Sequence, residues 1–177
     1  MTTIFTIGHS TRTIDEFTAL LREFEVELIV DVRAIPRSRT NPQFNTESLP
    51  QTLAESGIGY RHLKALGGRR HRTKNAAPSI NTLWRNDSFR NYADYAATDA
   101  FQSGFDELRA MALDHRSAIM CAEAVWWRCH RRIIADYLLS EGLRVIHILG
   151  PGNADPATLT PGARLRPGGG LVYPAAV

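Results

Sequence analysis

Apolar residues follow two different spacings along the first 149 residues of the chain. Short, mostly apolar runs predict strands at 3–7, 28–32, 117–121 and 143–149, and a further strand is expected at 59–63. Apolar positions three and four residues apart predict helices at 14–24, 46–56, 92–114 (in one or two pieces) and 129–141. Strands and helices therefore alternate, which is typical of βαβ units with right-handed crossovers.

This alternation predicts a single-domain α/β fold. We expect a three-layer sandwich with a mostly parallel, open sheet of about five strands, of the Rossmann or flavodoxin-like kind. Residues 1–149 would form this α/β domain. Proline and glycine dominate from 150 to 177, so that tail is expected either to pack on the domain or to be partly loose.

Composition narrows the class of protein without defining it. The chain has 177 residues and a net charge of +3, and 44% of its residues are hydrophobic, as expected for one globular domain with a core. No apolar run is long enough to cross a membrane, and no secretory signal precedes the first strand, so we expect a cytoplasmic protein with no membrane partner. In that compartment two cysteines indicate free thiols, metal ligands or a redox pair.

Polar residues that can do chemistry cluster just after the predicted strands. In a parallel sheet these positions meet at one edge, where ligands bind in open α/β folds. The residues expected to line a pocket there are His9, Ser10, Asp31, Arg33, Cys121 and Glu123, joined by Cys129, His130 and Arg131 from the start of the last helix.

Cys129 and His130 are expected in the first turn of that helix, on the same face as its buried stripe. A helix N-terminus can lower a thiol pKa, so Cys129 would be reactive or ligating with His130 nearby. The alternative is a small buried cysteine beside a satisfied histidine. Cys121 ends an apolar strand, which favours a buried wall of the pocket. Glu123 is either a general acid or base, an exposed loop acid, or a partner of an arginine.

Arginines are clustered on both sides of these positions. Asp31 and Arg33 share a strand face and form either a structural ion pair or part of an anion site. Arg33, Arg37 and Arg39 make one basic stretch, and residues 61–74 make another. Such clusters suit phosphate, or they form a solvated basic face. With Trp84, Tyr92, Trp126 and Trp127 as stacking faces, they would also suit nucleic acid.

The sequence gives weaker support to a metal site or to a phosphatase-type loop. Cys121, Glu123, Cys129 and His130 are residue types that bind zinc, but their spacing lacks paired CxxC motifs. No cofactor is therefore predicted, and a metal stays an alternative. The interval from Cys121 to Arg128 is one residue longer than a Cys-x5-Arg phosphate loop, and it lacks glycine.

Several motifs in order resemble the bacterial and archaeal "domain of unknown function 488" family. They are TIGHS at 6–10, DVR at 31–33, PRSR at 36–39, NPQF at 41–44, Tyr60 with Leu63, LGG at 66–68, MCAE at 120–123, CHR at 129–131 and HI at 147–148. The resemblance implies a compact α/β domain and no particular reaction. Some members bear DNA-repair names, which implies a link to nucleic acid.

The leading hypothesis is a small enzyme acting on an anionic, phosphate-bearing substrate. Glu123, Cys129 and His130 would be catalytic, with Cys129 as nucleophile or ligand. Substrate would be bound by His9, Ser10, Asp31, Arg33, Arg39, Cys121 and Arg131. The alternatives are a non-catalytic nucleotide or nucleic-acid-binding module, related to DNA repair, and a metal-dependent enzyme. The oligomeric state is left open.

Overall fold

The computed structural model describes residues 1–176, which form one mixed sheet flanked by helices. The strands are β1 (Thr3–Gly8), β2 (Leu28–Asp31), β3 (Gly59–His62), β4 (Ser117–Cys121), β5 (Arg144–Gly150) and β6 (Asn153–Pro156). Their order in the sheet is β3-β2-β4-β1-β5-β6. The first five are parallel and β6 is antiparallel to β5. The predicted α/β class and mostly parallel sheet are confirmed, with a sixth strand at one edge.

Five α-helices connect and cover the strands. They are α1 (Ile14–Glu23), α2 (Leu49–Ala54), α3 (Asp87–Tyr95), α4 (Asp99–Asp114) and α5 (Arg131–Ser140), and short 3-10 helices lie at Pro42–Phe44, Lys64–Leu66 and Trp126–Arg128. The region predicted as helical at 92–114 is two helices. Each has its own N-cap, because Asn86 accepts from Ser88 N and Thr98 accepts from Phe101 N.

Two apolar clusters lie on opposite faces of the sheet. Strand residues such as Ile4, Val30 and Ile119 pack on one face with α3, α4 and α5. On the other face, Phe5 and Ile29 pack with α1 and α2. Neighbouring strand residues thus point to opposite faces, and both faces are covered by helices. This arrangement is the predicted three-layer sandwich.

The tail after β5 is packed against the domain through β6, a small hairpin and a buried tyrosine. Strands β7 (Arg164–Leu165) and β8 (Leu171–Val172) form the hairpin. Tyr173 is fully buried, and its hydroxyl donates to Asp136 Oδ2 on α5 at 2.9 Å. Asp136 Oδ1 accepts from Thr160 N at 2.9 Å. Both oxygens of this buried carboxyl on α5 are therefore held by the tail.

The strand order reverses between β1 and β4. From β1 the chain crosses to β2 on one side, and from β4 it crosses through α5 to β5 on the other side. The two connecting helices, α1 and α5, accordingly lie on opposite faces. A crevice opens at such a switch point beyond the carboxyl ends of the strands, which places the residues after β1 and β4 at its walls.

None of the helices within residues 1–176 has the length and apolar character that crossing a membrane requires.

Candidate thiol site at the sheet edge

A cavity of about 390 Å³ opens at the carboxyl edge of the sheet, beside the switch point. The lining from the strand ends and the loop before α5 is His9, Arg33, Ala34, Cys121, Ala122, Glu123, Arg128, Cys129 and His130. The remaining lining is Ile35, Arg37, Ser38, Gly68, Arg69, Ser88 and Phe89. Loops from both halves of the chain thus enclose one space.

The loop after β4 approaches β1 closely because residue 8 is a glycine. A Cβ at Gly8 would lie 1.7 Å from the carbonyl oxygen of Glu123, which no side chain could tolerate. The backbone amides of His9 and Ser10 continue the contact by donating to Cys121 O and Ala122 O. The end of β1 therefore fixes the path of the loop that carries Cys121 and Glu123.

The two cysteines meet at the base of the cavity. Their Sγ atoms lie 2.7 Å apart, and both side chains are buried. The exposed fraction is 3% for Cys121 and 7% for Cys129, so the little access that exists is greater at Cys129. Two sulfurs in contact cannot both be ionised without strong repulsion, so the pair titrates as a unit.

Arg131 lies directly behind the sulfurs and is 1% exposed. Its guanidinium donates from Nε to Cys121 Sγ at 2.9 Å, from Nη1 to Thr6 Oγ1 at 3.0 Å and from Nη2 to Glu123 O at 2.7 Å. No carboxylate pairs with Arg131 anywhere in residues 1–176. A buried cation needs a counter-charge, and the cysteine pair is the group in contact that can supply one.

The two thiols have opposite pKa shifts. Burial, together with the contact with Cys129, raises the pKa of Cys121 well above its usual value. Burial also acts to raise the pKa of Cys129, but the hydrogen bond with Cys121 and the charges of His130 and Arg131 hold it well below its usual value. The opposite directions leave room for one negative charge on the pair, and a thiolate is the form of a cysteine that reacts as a nucleophile.

His130 is fixed against the backbone on one side and faces the thiol on the other. Its Nε2 lies 2.7 Å from Val32 O, so that nitrogen carries a proton and donates it. Its Nδ1 lies 3.4 Å from Cys129 Sγ. A Cβ at Gly68 would lie 2.5 Å from this Nδ1. The absence of a side chain at Gly68 therefore makes the room that the imidazole occupies.

Arg33 is held in a second buried cluster. It donates to Asp31 through Nε at 2.9 Å and Nη2 at 2.7 Å, and Nη2 also donates to Phe44 O at 2.7 Å. The hydroxyl of Tyr60 donates to the same carboxylate at 2.5 Å. Burial and the neighbouring Asp31 raise the pKa of Tyr60 to about 12, so Tyr60 stays a donor at neutral pH.

His9 completes the Arg33 cluster in its neutral form. Its Nδ1 donates to Ser10 O at 2.8 Å, and its Nε2 lies 3.3 Å from Arg33 Nη1. Burial and the Arg33 charge lower the pKa of His9 to about 4. The ring also stacks on Phe44, with 4.3 Å between centroids. Asp31 and Arg33 thus form a buried ion pair, and Arg33 also lines the cavity.

The mouth of the cavity is basic and partly apolar. Arg69 and Arg128 are exposed, and neither forms an ion pair within the part of the chain that the structure describes. Arg37 is exposed as well and pairs with Glu47 at 2.9 Å. Glu123 is the only acidic side chain in the lining of this cavity. Positive charge therefore exceeds negative charge at the mouth.

The structure brings most of the residues predicted for the site together. His9, Arg33, Cys121, Glu123, Cys129 and His130 line the cavity, while Asp31 and Arg131 are buried behind its wall. Two of the predicted binding residues, Ser10 and Arg39, are not in the lining. The last helix begins at Arg131, two residues later than predicted. Cys129 therefore precedes the helix and His130 occupies its N-cap position, instead of both lying in the first turn.

Much of the basic stretch at 61–74 is engaged elsewhere. Arg61 pairs with Glu107, and Arg70 caps the Lys64–Leu66 turn while stacking over Tyr95. Arg69 reaches the cavity, and His71, Arg72 and Lys74 are exposed outside its lining. Trp84 and Tyr92, which were expected to offer stacking faces, are buried in the core.

Sequence reasoning missed the lining contributed by Ser38, Gly68, Ser88 and Phe89. Gly68 lay within a glycine pair in an irregular segment, and such a pair is a signal of close backbone approach. Ser88 and Phe89 follow an N-cap signal at Asn86, which the prediction of a helix from residue 92 overlooked.

The four residues considered as a zinc set lie around the cavity without the arrangement of a shared metal-ligand group. Among residues 1–176, no group of three or more His, Cys, Asp or Glu side chains is arranged to hold a metal ion.

Fold and site together define the class of protein. It is an open, mostly parallel α/β domain whose ionisable groups gather at the switch point of its sheet. Residues 13–138, well over half of the chain, match the family described as "Domain of unknown function DUF488", so the chain belongs to that family, as its motifs predicted. Neither a curated protein nor a solved structure matches the chain.

Proposed function

We propose that the protein is an enzyme that uses the thiolate of Cys129 on a small anionic, phosphate-bearing substrate. One observation supports the proposal: the buried guanidinium of Arg131 donates to Cys121 Sγ and has no carboxylate partner among residues 1–176. A protein that keeps such a cation behind two thiols stabilises a thiolate at neutral pH. That thiolate faces a cavity whose mouth is rich in arginine.

The two kinds of arginine have different tasks in this proposal. Arg131 is enclosed and directs its donors at sulfur, hydroxyl and backbone oxygen, so it tunes the nucleophile. Arg69 and Arg128 are exposed at the mouth and attract and hold the anionic group of the substrate. Arg33 is paired with Asp31 and belongs to the cavity wall next to Arg69 and Arg128.

The chemical steps use groups already in place. The sulfur of Cys129 forms a bond to the electrophilic atom of the substrate as the leaving group departs with its electron pair. The leaving group takes a proton from Glu123 or His130. Water then attacks the same atom and gives a proton back to that residue, and the bond to sulfur breaks to restore the thiolate.

Alkylation of the thiol with two matched reagents tests this proposal. Iodoacetate is anionic and iodoacetamide is neutral, and both react with thiolates. A free small thiol serves as the reference for the ratio of the two rates. We expect that ratio at Cys129 to exceed the reference by ~10-fold or more, because the arginines concentrate the anion at the cavity.

The double variant Arg69→Ala/Arg128→Ala should lose this preference. Its matched control is Arg39→Ala/Lys74→Ala, which removes the same charge from exposed positions outside the cavity lining and should keep the preference. Equal ratios for the wild-type protein and the reference thiol would refute the anionic site. A Cys129→Ser variant that still turned over a substrate identified for the enzyme would refute the nucleophile.

A further inference from the structure

The contact between the two sulfurs suggests a reaction beyond the one proposed above. A nucleophile that acts alone needs no second thiol, yet Cys121 Sγ lies 2.7 Å from Cys129 Sγ. A disulfide bond is about 2.05 Å long, so the sulfurs need to approach by only roughly 0.7 Å to form one. Cys121 is the last residue of β4, Cys129 lies in the loop that leads from β4 to α5, and both line the cavity.

We propose that Cys129 is a peroxide-reactive thiol with Cys121 as its resolving partner. The chemical class of the oxidant is a hydroperoxide small enough to enter the cavity. The product is an intramolecular disulfide between Cys121 and Cys129. This inference shares the Cys129 thiolate with the proposed function but needs no anionic substrate.

The reaction balances in two steps. The Cys129 thiolate attacks the distal oxygen of the hydroperoxide, the O–O bond breaks, and the alkoxide or hydroxide that leaves takes up a proton. This gives a sulfenic acid at Cys129, with sulfur oxidised and the peroxide reduced. Cys121 then attacks that sulfur, and the hydroxide that leaves combines with the Cys121 proton to form water.

Arg131 assists the second step from its position in the structure. Its Nε–H is directed at Cys121 Sγ at 2.9 Å, where it stabilises negative charge as that thiol loses its proton. The backbone amide of Arg131 donates to Cys129 Sγ at 3.4 Å. One residue thus contacts both sulfurs, and its cation favours the anionic form of whichever attacks.

Disulfide formation would turn the proposed enzyme off reversibly. It consumes the nucleophile and removes the counter-charge that contacts Arg131. A reducing dithiol would restore both. The site would then report the redox state of the cell through its activity.

Intact-protein mass spectrometry tests the proposal. Reduced, full-length protein is treated with one equivalent of hydrogen peroxide and then with N-ethylmaleimide under denaturing conditions. We expect the monomer to lose the mass of two hydrogen atoms and to take up no maleimide. Reaction should be at least ~10-fold faster than for the same chain unfolded in urea, because the fold supplies the thiolate and the contact.

Single variants define the two roles. Cys121→Ser should stop at the sulfenic acid, which dimedone captures, whereas Cys129→Ser should form neither that adduct nor a disulfide. If the wild-type protein instead takes up two maleimides after peroxide, or forms only disulfide-linked dimers, the proposal fails.

The outcome is separable from that of the proposed function. Arg69→Ala/Arg128→Ala should form the disulfide normally while losing its preference for iodoacetate. Normal iodoacetate preference without a disulfide would reject only the redox inference. A rapid disulfide with no such preference would reject only the anionic substrate.

Discussion

Two arginines are buried at the same edge of this sheet, and they are balanced in different ways. Arg33 has a carboxylate, Asp31, that meets it with two hydrogen bonds and is itself held by Tyr60. Arg131 has two thiols and no carboxylate among the described residues. The first counter-charge is a carboxylate in a direct ion pair, while the second depends on thiol ionisation and is lost on oxidation.

The comparison distinguishes a cluster that stabilises the fold, around Arg33, from a cluster that can react, around Arg131. A carboxylate bound by a guanidinium and a phenol is a poor nucleophile and resists change. A thiolate held by the same kind of cation is reactive. We therefore interpret the Asp31–Arg33 cluster as the rigid wall of the cavity and the Cys121–Cys129–Arg131 cluster as its reactive base.

The largest effect on stability is expected from removing the carboxylate that balances Arg33. Asp31→Ala leaves Arg33 buried without a partner, which should lower the free energy of unfolding by about 3–5 kcal/mol. Urea denaturation followed by circular dichroism measures this loss. Asp114→Ala, an exposed acid at the end of α4, is the control and should change stability by less than ~0.5 kcal/mol. Equal losses for the two variants would contradict the interpretation of the wall.

A smaller effect on stability is expected from removing the thiols, and it should be non-additive. Either Cys121→Ala or Cys129→Ala alone leaves one sulfur able to balance Arg131, whereas the double variant leaves none. The double variant should therefore lose roughly 1–3 kcal/mol more than the sum of the single losses, measured by the same urea denaturation.

Adding Arg131→Met to the double cysteine variant provides the check, because it removes the uncompensated cation. Stability should then recover part of the loss. Additive single losses and no recovery would show that the sulfurs do not balance this charge.

Acid sensitivity has no effect at neutral pH, grows as the pH falls, and concerns one histidine beside each cluster. Burial lowers the pKa of His9 to about 4 and, with the Arg131 charge, that of His147 to about 3. A histidine with a lowered folded-state pKa contributes stability that is complete above the unfolded value of about 6.5 and is lost as the pH falls toward the folded value. Each histidine should therefore lower the free energy of unfolding by up to about 1.4 kcal/mol for every pH unit that the pH falls between pH 6 and pH 4.5.

His9→Gln keeps an acceptor near the Nε2 position that faces Arg33, His147→Asn keeps one near the Nδ1 position that faces Thr6, and both remove the titration. Each should flatten the pH dependence of the unfolding free energy by a similar amount, and the double variant should flatten it twice as much. Unchanged slopes would show that these histidines titrate alike in the folded and unfolded chains.

The fold and much of the site followed from sequence patterns. Continuous apolar runs located β1, β2, β4 and β5, because strands covered on both faces must be apolar throughout. Once those strands were parallel, the residues after them had to meet at one edge. The grouping of His9, Arg33, Cys121 and Glu123 around one cavity depends on that rule alone.

Other features depended on contacts that no local pattern encodes. The start of α5 moved to Arg131 because the preceding residues form a 3-10 turn at Trp126–Arg128. Hydrogen bonds to Thr6 and to Glu123 O hold Arg131 inward, next to sulfur, while Arg128 stays exposed. The proline and glycine content of the segment that contains β6 predicted a loop. This segment forms a strand because it pairs with β5.

The segment between the two cysteines also carries its own optical signal. Trp126 stacks on His147 with ring centroids 4.4 Å apart, and Trp127 beside it is 45% exposed. Any event that shortens the span from Cys121 to Cys129 must shift these indoles relative to their surroundings. Intrinsic tryptophan emission can therefore follow the state of the thiols in real time, in unlabelled protein, with Trp84→Phe available to remove the remaining background.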